Sequence, residues 1–142
     1  MTGLDTNILV ALVVKEHEFH ERATATLNWE ISQGETFAVT PAVLAEFIHA
    51  VTDARRVERP LDMAQALADA HYWWTGLQTR PTFPTQESTV LCLDWMQRHR
   101  LGRKRILDTM LAATLYTAGV RRIFTANPDD FRVFGVFDLL VP

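Results

Sequence analysis

Short apolar segments that suit β-strands alternate with helical patterns along this chain, and that alternation restricts the fold more than any other feature. Strand candidates fall at residues 1–4, 36–39, 122–125 and 136–141. After the first, Thr6 or Asn7 is a candidate cap for an apolar helix running to Val14. Phe19, Ala23, Leu27 and Ile31 then recur every four residues, which predicts an amphipathic helix ending near Gly34. Thr40 followed by Pro41 predicts an N-cap with proline at the first helical position, opening a helix to about Asp53. Met63, Ala66, Leu67, Ala70, Trp74 and Leu77 form a further helical stripe, with Trp73 read as core beside Trp74. Residues 79–85 hold Pro81 and Pro84 and read as a loop or a short edge strand. Helices follow over about 86–99 and up to Ala118, where Gly119 is the stop, and residues 127–130 read as a turn. Strands joined through helices run parallel, so the expected class is α/β: a three-layer sandwich, its central short-stranded parallel sheet flanked by helices. In such sheets ligands bind beyond the carboxyl ends of the strands.

The length of 142 residues suits one domain, 1–142, with a full-sized core and no repeat or long linker. The longest apolar run, residues 8–14, is too short to span a bilayer and follows no basic leader, so neither a membrane nor a secretory route is expected. Cys92 is the only cysteine, which excludes an intrachain disulfide and a cysteine-based zinc site and makes a reducing cytoplasm the simplest compartment. The net charge of −3 gives no global sign of a nucleic-acid binder, although local clusters differ from the total.

Four acids do not fit their surroundings. Asp5 precedes an apolar run, Glu46 lies within PAVLAEFIHAV on a polar stripe with His49 and Asp53, Asp108 within ILDTMLAATL, and Asp130 within FTANPDDF. Singly, each has an ordinary reading: Asp5 and Asp108 as helix caps, Glu46 on an exposed helix face, Asp129 and Asp130 as turn residues. Together they lie at strand ends or helix segments that a parallel sheet gathers into one crevice. Four carboxylates there would repel one another and raise each other's pKa. A hard divalent cation, Mg²⁺ or Mn²⁺, relieves that repulsion and activates water against a phosphodiester. Thr6, Asn7, Thr109, Thr125 and Asn127 neighbour the acids and supply uncharged hydrogen bonds to orient them.

These motifs resemble those of PIN-domain ribonucleases, specifically the VapC-type toxins of bacterial type II toxin–antitoxin systems. LDTNILVAL places Asp5 at the family's first acid, LAEFIHA places Glu46 at the second, and ILDTMLAAT places Asp108 at the third, with Thr109 at the usual Ser or Thr. FTANPDDF is similar to the family's Thr-x-Asn-x-x-Asp-Phe ending, with Thr125 and Asn127 supporting and Asp130, which precedes Phe131, as the fourth acid. The resemblance spans nearly the whole chain. It implies a PIN-like fold and a Mg²⁺-dependent endoribonuclease (Mn²⁺ substituting) with Asp5, Asp108 and Asp130 as ligands and Glu46 ligating directly or through water. It also implies a homodimer, a cognate antitoxin and a structured RNA substrate such as tRNA or rRNA. The alternatives within the family are a nuclease of RNA maturation and a non-catalytic RNA- or protein-binding PIN domain.

Two other phosphoryl chemistries fit less well. An aspartyl phosphatase expects a second acid where Asn7 stands, and a receiver domain expects paired acids after its first strand and a lysine after its last. Two basic clusters, residues 98–105 (RHRLGRKR) and Arg55, Arg56 and Arg59, are candidate contacts to an RNA backbone or else solvated loops. His17 and His20 lack a third soft ligand and read as a solvated helix start.

Overall fold

The computed structural model describes residues 1–142. Five strands of three residues each form one sheet: β1 (Thr2–Leu4), β2 (Phe37–Val39), β3 (Thr79–Pro81), β4 (Arg122–Phe124) and β5 (Asp138–Leu140). The spatial order is β3-β2-β1-β4-β5, with every neighbouring pair parallel. Seven helices connect and cover it: α1 (Thr6–Val13), α2 (His20–Ser32), α3 (Pro41–Val51), α4 (Met63–Thr75), α5 (Gln86–Arg98), α6 (Ile106–Thr117) and the short α7 (Asp129–Arg132). The expected α/β sandwich is the observed one.

The topology fixes where a site can form. The chain builds outward from β1 to β3 on one side, then crosses to β4 and β5 on the other. The order therefore reverses between β1 and β4, and helices leave the two carboxyl ends in opposite directions, opening a crevice. Asp5 follows β1 and Thr125 follows β4, so both flank it. The β1–β4 ladder runs one residue past the strands, because the Asp5 N–H donates to the Phe124 carbonyl at 3.1 Å.

Local chemistry explains most boundaries. Thr40 caps α3, its hydroxyl accepting the Val43 N–H at 3.3 Å with Pro41 in the first turn. Capping boxes open α4 (Asp62 with Gln65) and α5 (Thr85 with Ser88). Residues 79–81 are indeed an edge strand, where the missing N–H of Pro81 breaks no ladder. Beneath the sheet, Leu4, Ile8, Phe37, Phe47, Phe124 and Phe131 are wholly or almost wholly buried. Arg122 of β4 clamps the buried Glu30 of α2 through two bonds of 2.7 and 2.9 Å.

Four expectations need correction. Neither Thr6 nor Asn7 caps α1; Asp5 holds the cap position, and its side chain makes no cap bond because other donors occupy it. Residues 127–130 are not only a turn, since Asp129 and Asp130 begin α7. Asp53 lies beyond the end of α3 and pairs with Arg55 rather than extending the Glu46 stripe. The α4 stripe is only half covered: Ala66 and Ala70 are buried, while Met63, Leu67 and Leu77 face solvent.

Gly3 sets how closely α6 approaches the centre of the sheet. A Cβ there would run into Leu115 Cδ1 and stand 2.9 Å from its Cδ2 and 3.2 Å from its Cγ, and Leu115 is fully buried. Gly3→Ala is expected to cost about 1–3 kcal/mol through overpacking, read as a lower urea midpoint. Adding Leu115→Val should recover part of that loss; an unchanged midpoint in Gly3→Ala would remove this account of the helix position.

Candidate active site

Asp5 is buried at 6% exposure, and a chain of donors holds it. The Thr125 hydroxyl donates to its Oδ2 at 2.6 Å, and the Asn7 amide donates to the same oxygen at 2.7 Å. Thr125 is itself oriented, because its Oγ1 accepts the Asn127 N–H at 3.0 Å and must spend its own proton on Asp5. Asn7 is oriented likewise: its Oδ1 accepts the Ala126 N–H at 3.0 Å, which turns its NH₂ towards the carboxylate. Both side-chain donors fall on Oδ2 and leave Oδ1 without one. Burial nevertheless dominates and pushes the Asp5 carboxyl up to about 6, against the lowering effect of Thr125, the Thr6 N–H and Asn7, with the Glu46 charge adding to the rise.

The other three acids arrive from separate helices. Glu46, midway along α3, accepts the Thr6 hydroxyl on Oε2 at 2.9 Å. Asp108 occupies the first turn of α6 and is not its cap. Its carboxyl is also pushed up to about 6, first by burial, then by the charges of Asp130 and Asp5; Arg105 opposes the rise and Glu46 adds to it. The three charges that act on it belong to acids lining the same cleft. Asp130 begins α7, held by its N–H to the Asn127 carbonyl at 3.1 Å.

Asp5, Glu46, Asp108 and Asp130 line one cleft of about 240 Å³, with Thr6, Asn7 and Asn127. A larger, shallow groove of about 850 Å³ between α5 and α6 holds none of the four. Two threonines expected beside the acids divide: Thr125 bonds Asp5, whereas Thr109 is buried and its hydroxyl turns back to the Arg105 carbonyl at 2.6 Å.

Three residues of the site were named in the sequence only as members of basic clusters that contact RNA or stay solvated (Arg105, Arg56) or as part of a solvated helix start (His17). Arg105, the last of the basic run, points inward. Its Nε lies 3.7 Å from Asp108 Oδ2 and 3.6 Å from Asp130 Oδ1, and its NH2 group donates to the Asp130 carbonyl. His17 and Arg56 also line the cleft. Their neighbours in sequence are charged and solvated, so only the fold reveals them. The remaining basic side chains at 98–105 face outward or, like Arg98, pair locally, here with Asp94 at 2.6 Å.

As the side chains lie, no three His, Cys, Asp or Glu groups stand close enough to share one ion; Asp108 and Asp130 are instead bridged by Arg105. The donor chemistry fits a hard divalent cation all the same. The set is carboxylate, hydroxyl and amide oxygen with no thiol, and its charges raise one another's pKa.

Residues 4–136 match the PIN domain. The chain belongs to the PIN-domain family. It is 30% identical over 137 residues to Ribonuclease VapC24 of Mycobacterium tuberculosis, in strains CDC 1551 / Oshkosh and H37Rv, covering 95% of this chain and 92% of that protein. Among solved structures it is similar to Mycobacterium tuberculosis VapC20, described as a Sarcin-Ricin loop cleaving toxin, with a TM-score of 0.73 at 17% identity over 93% of this chain and 94% of that one. It is also similar to VapBC2 from Rickettsia felis bound to a promoter DNA fragment, with a TM-score of 0.70 at 16% identity over 99% and 97%. At these identities the solved structures show the fold, and they bear out the PIN-like sandwich expected from the sequence.

The raised carboxyls of this PIN domain have a stability consequence. A carboxyl whose folded pKa exceeds its unfolded value of 3.8 costs nothing below that value; the cost enters as pH rises towards about 6 and is fully present at neutral pH. In a chelator, Asp108→Asn is therefore expected to stabilise the fold by about 1–2 kcal/mol near neutral pH and by nothing near pH 4. Thermal melts across that range check it, and a variant less stable than wild type near neutral pH would contradict it.

Proposed function

We propose that this chain is a metal-dependent endoribonuclease and the toxin of a toxin–antitoxin pair. The observation that carries the reading is the convergence of Asp5, Glu46, Asp108 and Asp130 on one cleft at the β1–β4 crevice, in a chain related along nearly its whole length to Ribonuclease VapC24. Asp5, Asp108 and Asp130 would hold Mg²⁺, with Mn²⁺ substituting, and Glu46 would join them directly or through water. When bound, the ion polarises the phosphodiester and makes water a competent nucleophile near neutral pH.

The chain's own residues supply the rest. Thr125 and Asn7 hold Oδ2 of Asp5, so that carboxylate does not rotate away. Thr6 fixes Glu46 against its own helix-long freedom. Arg105 keeps Asp108 and Asp130 together across two elements and offsets part of their repulsion. Hydrolysis by water in line with the leaving oxygen would release a 5′-phosphate and a 3′-hydroxyl.

A further structural neighbour, with a TM-score of 0.57, is a toxin–antitoxin complex from Klebsiella pneumoniae, and another, with a TM-score of 0.68, is FitAB bound to an IR36 DNA fragment. This supports a cognate antitoxin here. Exposed apolar side chains remain for such contacts and for a second copy of the chain: Met63 and Leu67 on α4, Val90 and Leu93 on α5. No helix is long and apolar enough to cross a membrane, and Cys92 is buried.

Purified protein free of antitoxin should cut total cellular RNA into discrete fragments with Mg²⁺ or Mn²⁺ and not with EDTA. Asp5→Ala and Asp108→Ala should each lose at least about 100-fold in rate. Fragments ending in 2′,3′-cyclic phosphate would sink the hydrolytic mechanism. RNA left intact by wild type, with a small partner still bound, would favour a non-catalytic PIN domain.

A further inference from the structure

The acidic cleft has a second wall. His17, from the loop between α1 and α2, and Arg56, from the connection between α3 and α4, both line it. Neither is engaged in holding the acids. Asp5 and Glu46 take their side-chain hydrogen bonds from Thr125, Asn7 and Thr6, and Arg105 bridges Asp108 and Asp130.

His17 is locked in one pose. Its N–H donates to the Val14 carbonyl at 3.0 Å, and its carbonyl accepts the His20 N–H at 2.9 Å. Its ring Nδ1 accepts the Phe19 N–H at 3.1 Å. With Nδ1 an acceptor, the ring proton sits on Nε2, which becomes an oriented donor with no acceptor in the protein. Arg56 is spare in a different way. Its nearest carboxylate oxygen, on Asp53, lies 3.8 Å away, and Asp53 is already gripped by Arg55 through bonds of 3.2 and 3.3 Å.

The cleft also continues. A second groove of about 440 Å³ runs beside α3 over Ala42 and Ala45 to His49 and Leu107, and it shares Glu46 and Arg56 with the cleft. Arg56 thus stands at the junction. A polyanion entering a cleft of four carboxylates meets repulsion on one side and needs donors or cations on the other, because backbone contacts supply most of its affinity and all of its register.

We propose that His17 and Arg56 form the phosphate-holding wall of this cleft, gripping the RNA backbone phosphate next to the scissile one, with the strand leaving along the α3 groove. This rests on the ribonuclease reading above.

The test uses the full chain and a fluorescein-labelled single-stranded RNA of about 12 nucleotides with a cleavage-resistant phosphorothioate backbone, in Mg²⁺. His17→Leu and Arg56→Ala should each weaken binding about tenfold, the loss of one charge-assisted hydrogen bond. Arg56→Ala should also make the slope of log affinity against log salt shallower by about 0.7, one single-strand phosphate. Arg56→Lys should keep the wild-type slope, and His17→Gln, whose amide reaches about as far as Nε2, should keep most of the affinity. In all four variants the rise in melting temperature on adding Mg²⁺ should match wild type, since the carboxylates are untouched. Wild-type affinity and slope in both His17→Leu and Arg56→Ala overturn this inference alone, as does loss of the Mg²⁺ response together with RNA binding. A wild-type chain that binds no RNA overturns the ribonuclease reading as well.

Discussion

The site depends on one short hydrogen bond, from the Thr125 hydroxyl to Asp5 Oδ2 at 2.6 Å, across 120 residues of chain. It joins the carboxyl ends of β1 and β4, the two parallel strands between which the strand order reverses. The elements it joins also position two of the other acids. α1 leaves β1 carrying Thr6 to Glu46, and the segment after β4 carries Asn127, which fixes both Thr125 and the start of α7. The backbone alone would bring the strand ends together; this bond fixes how the carboxylate lies between them.

The cleft is a concentration of negative charge that the fold tolerates rather than one that stabilises it. Burial raises Asp5 and Asp108 to about 6, and the hydrogen bonds to Asp5 oppose that rise without cancelling it. Elsewhere the same protein treats charge conventionally: Glu30, just as buried, meets a bidentate arginine. The contrast supports the proposed role of the cleft, because raised carboxyls gathered without a cation of their own are the arrangement that catalytic sites favour. Arg105 comes nearest to that role. At 3.6 to 3.7 Å from two acids it is shared between them and saturates neither.

Much of this was legible in the sequence. Thr40–Pro41 announced the start of α3, the period of Phe19, Ala23 and Leu27 announced α2, and Pro81 correctly confined its segment to an edge. The four acids were visible because each interrupts an apolar context, and the sheet brings all four together. What the sequence hid depends on tertiary direction. Arg105 sits in a run of five basic residues that reads as an RNA contact or a solvated loop, but the turn around Gly102 aims it at Asp108 and Asp130 instead. His17 lies among glutamates and a lysine, yet the loop after α1 folds its ring over the cleft. Met63 and Leu67 follow helical period as well as Ala66 and Ala70 do, but periodicity identifies an apolar face without saying how wide a strip the core covers. Thr109 was misread for a local reason: a threonine in the first turn of a helix has a carbonyl four residues back within reach and takes it.

The pairing of β1 with β4 also orders events in time. Thr2 meets Arg122 and Leu4 meets Phe124, so the first strand made waits for almost the last before its ladder on that side can close. Asp5 is made before the rest of the cleft, its hydroxyl donor Thr125 follows 120 residues later, and Asp130 comes after that. A growing chain therefore carries no assembled cleft until the strands on both sides of β1 have been made.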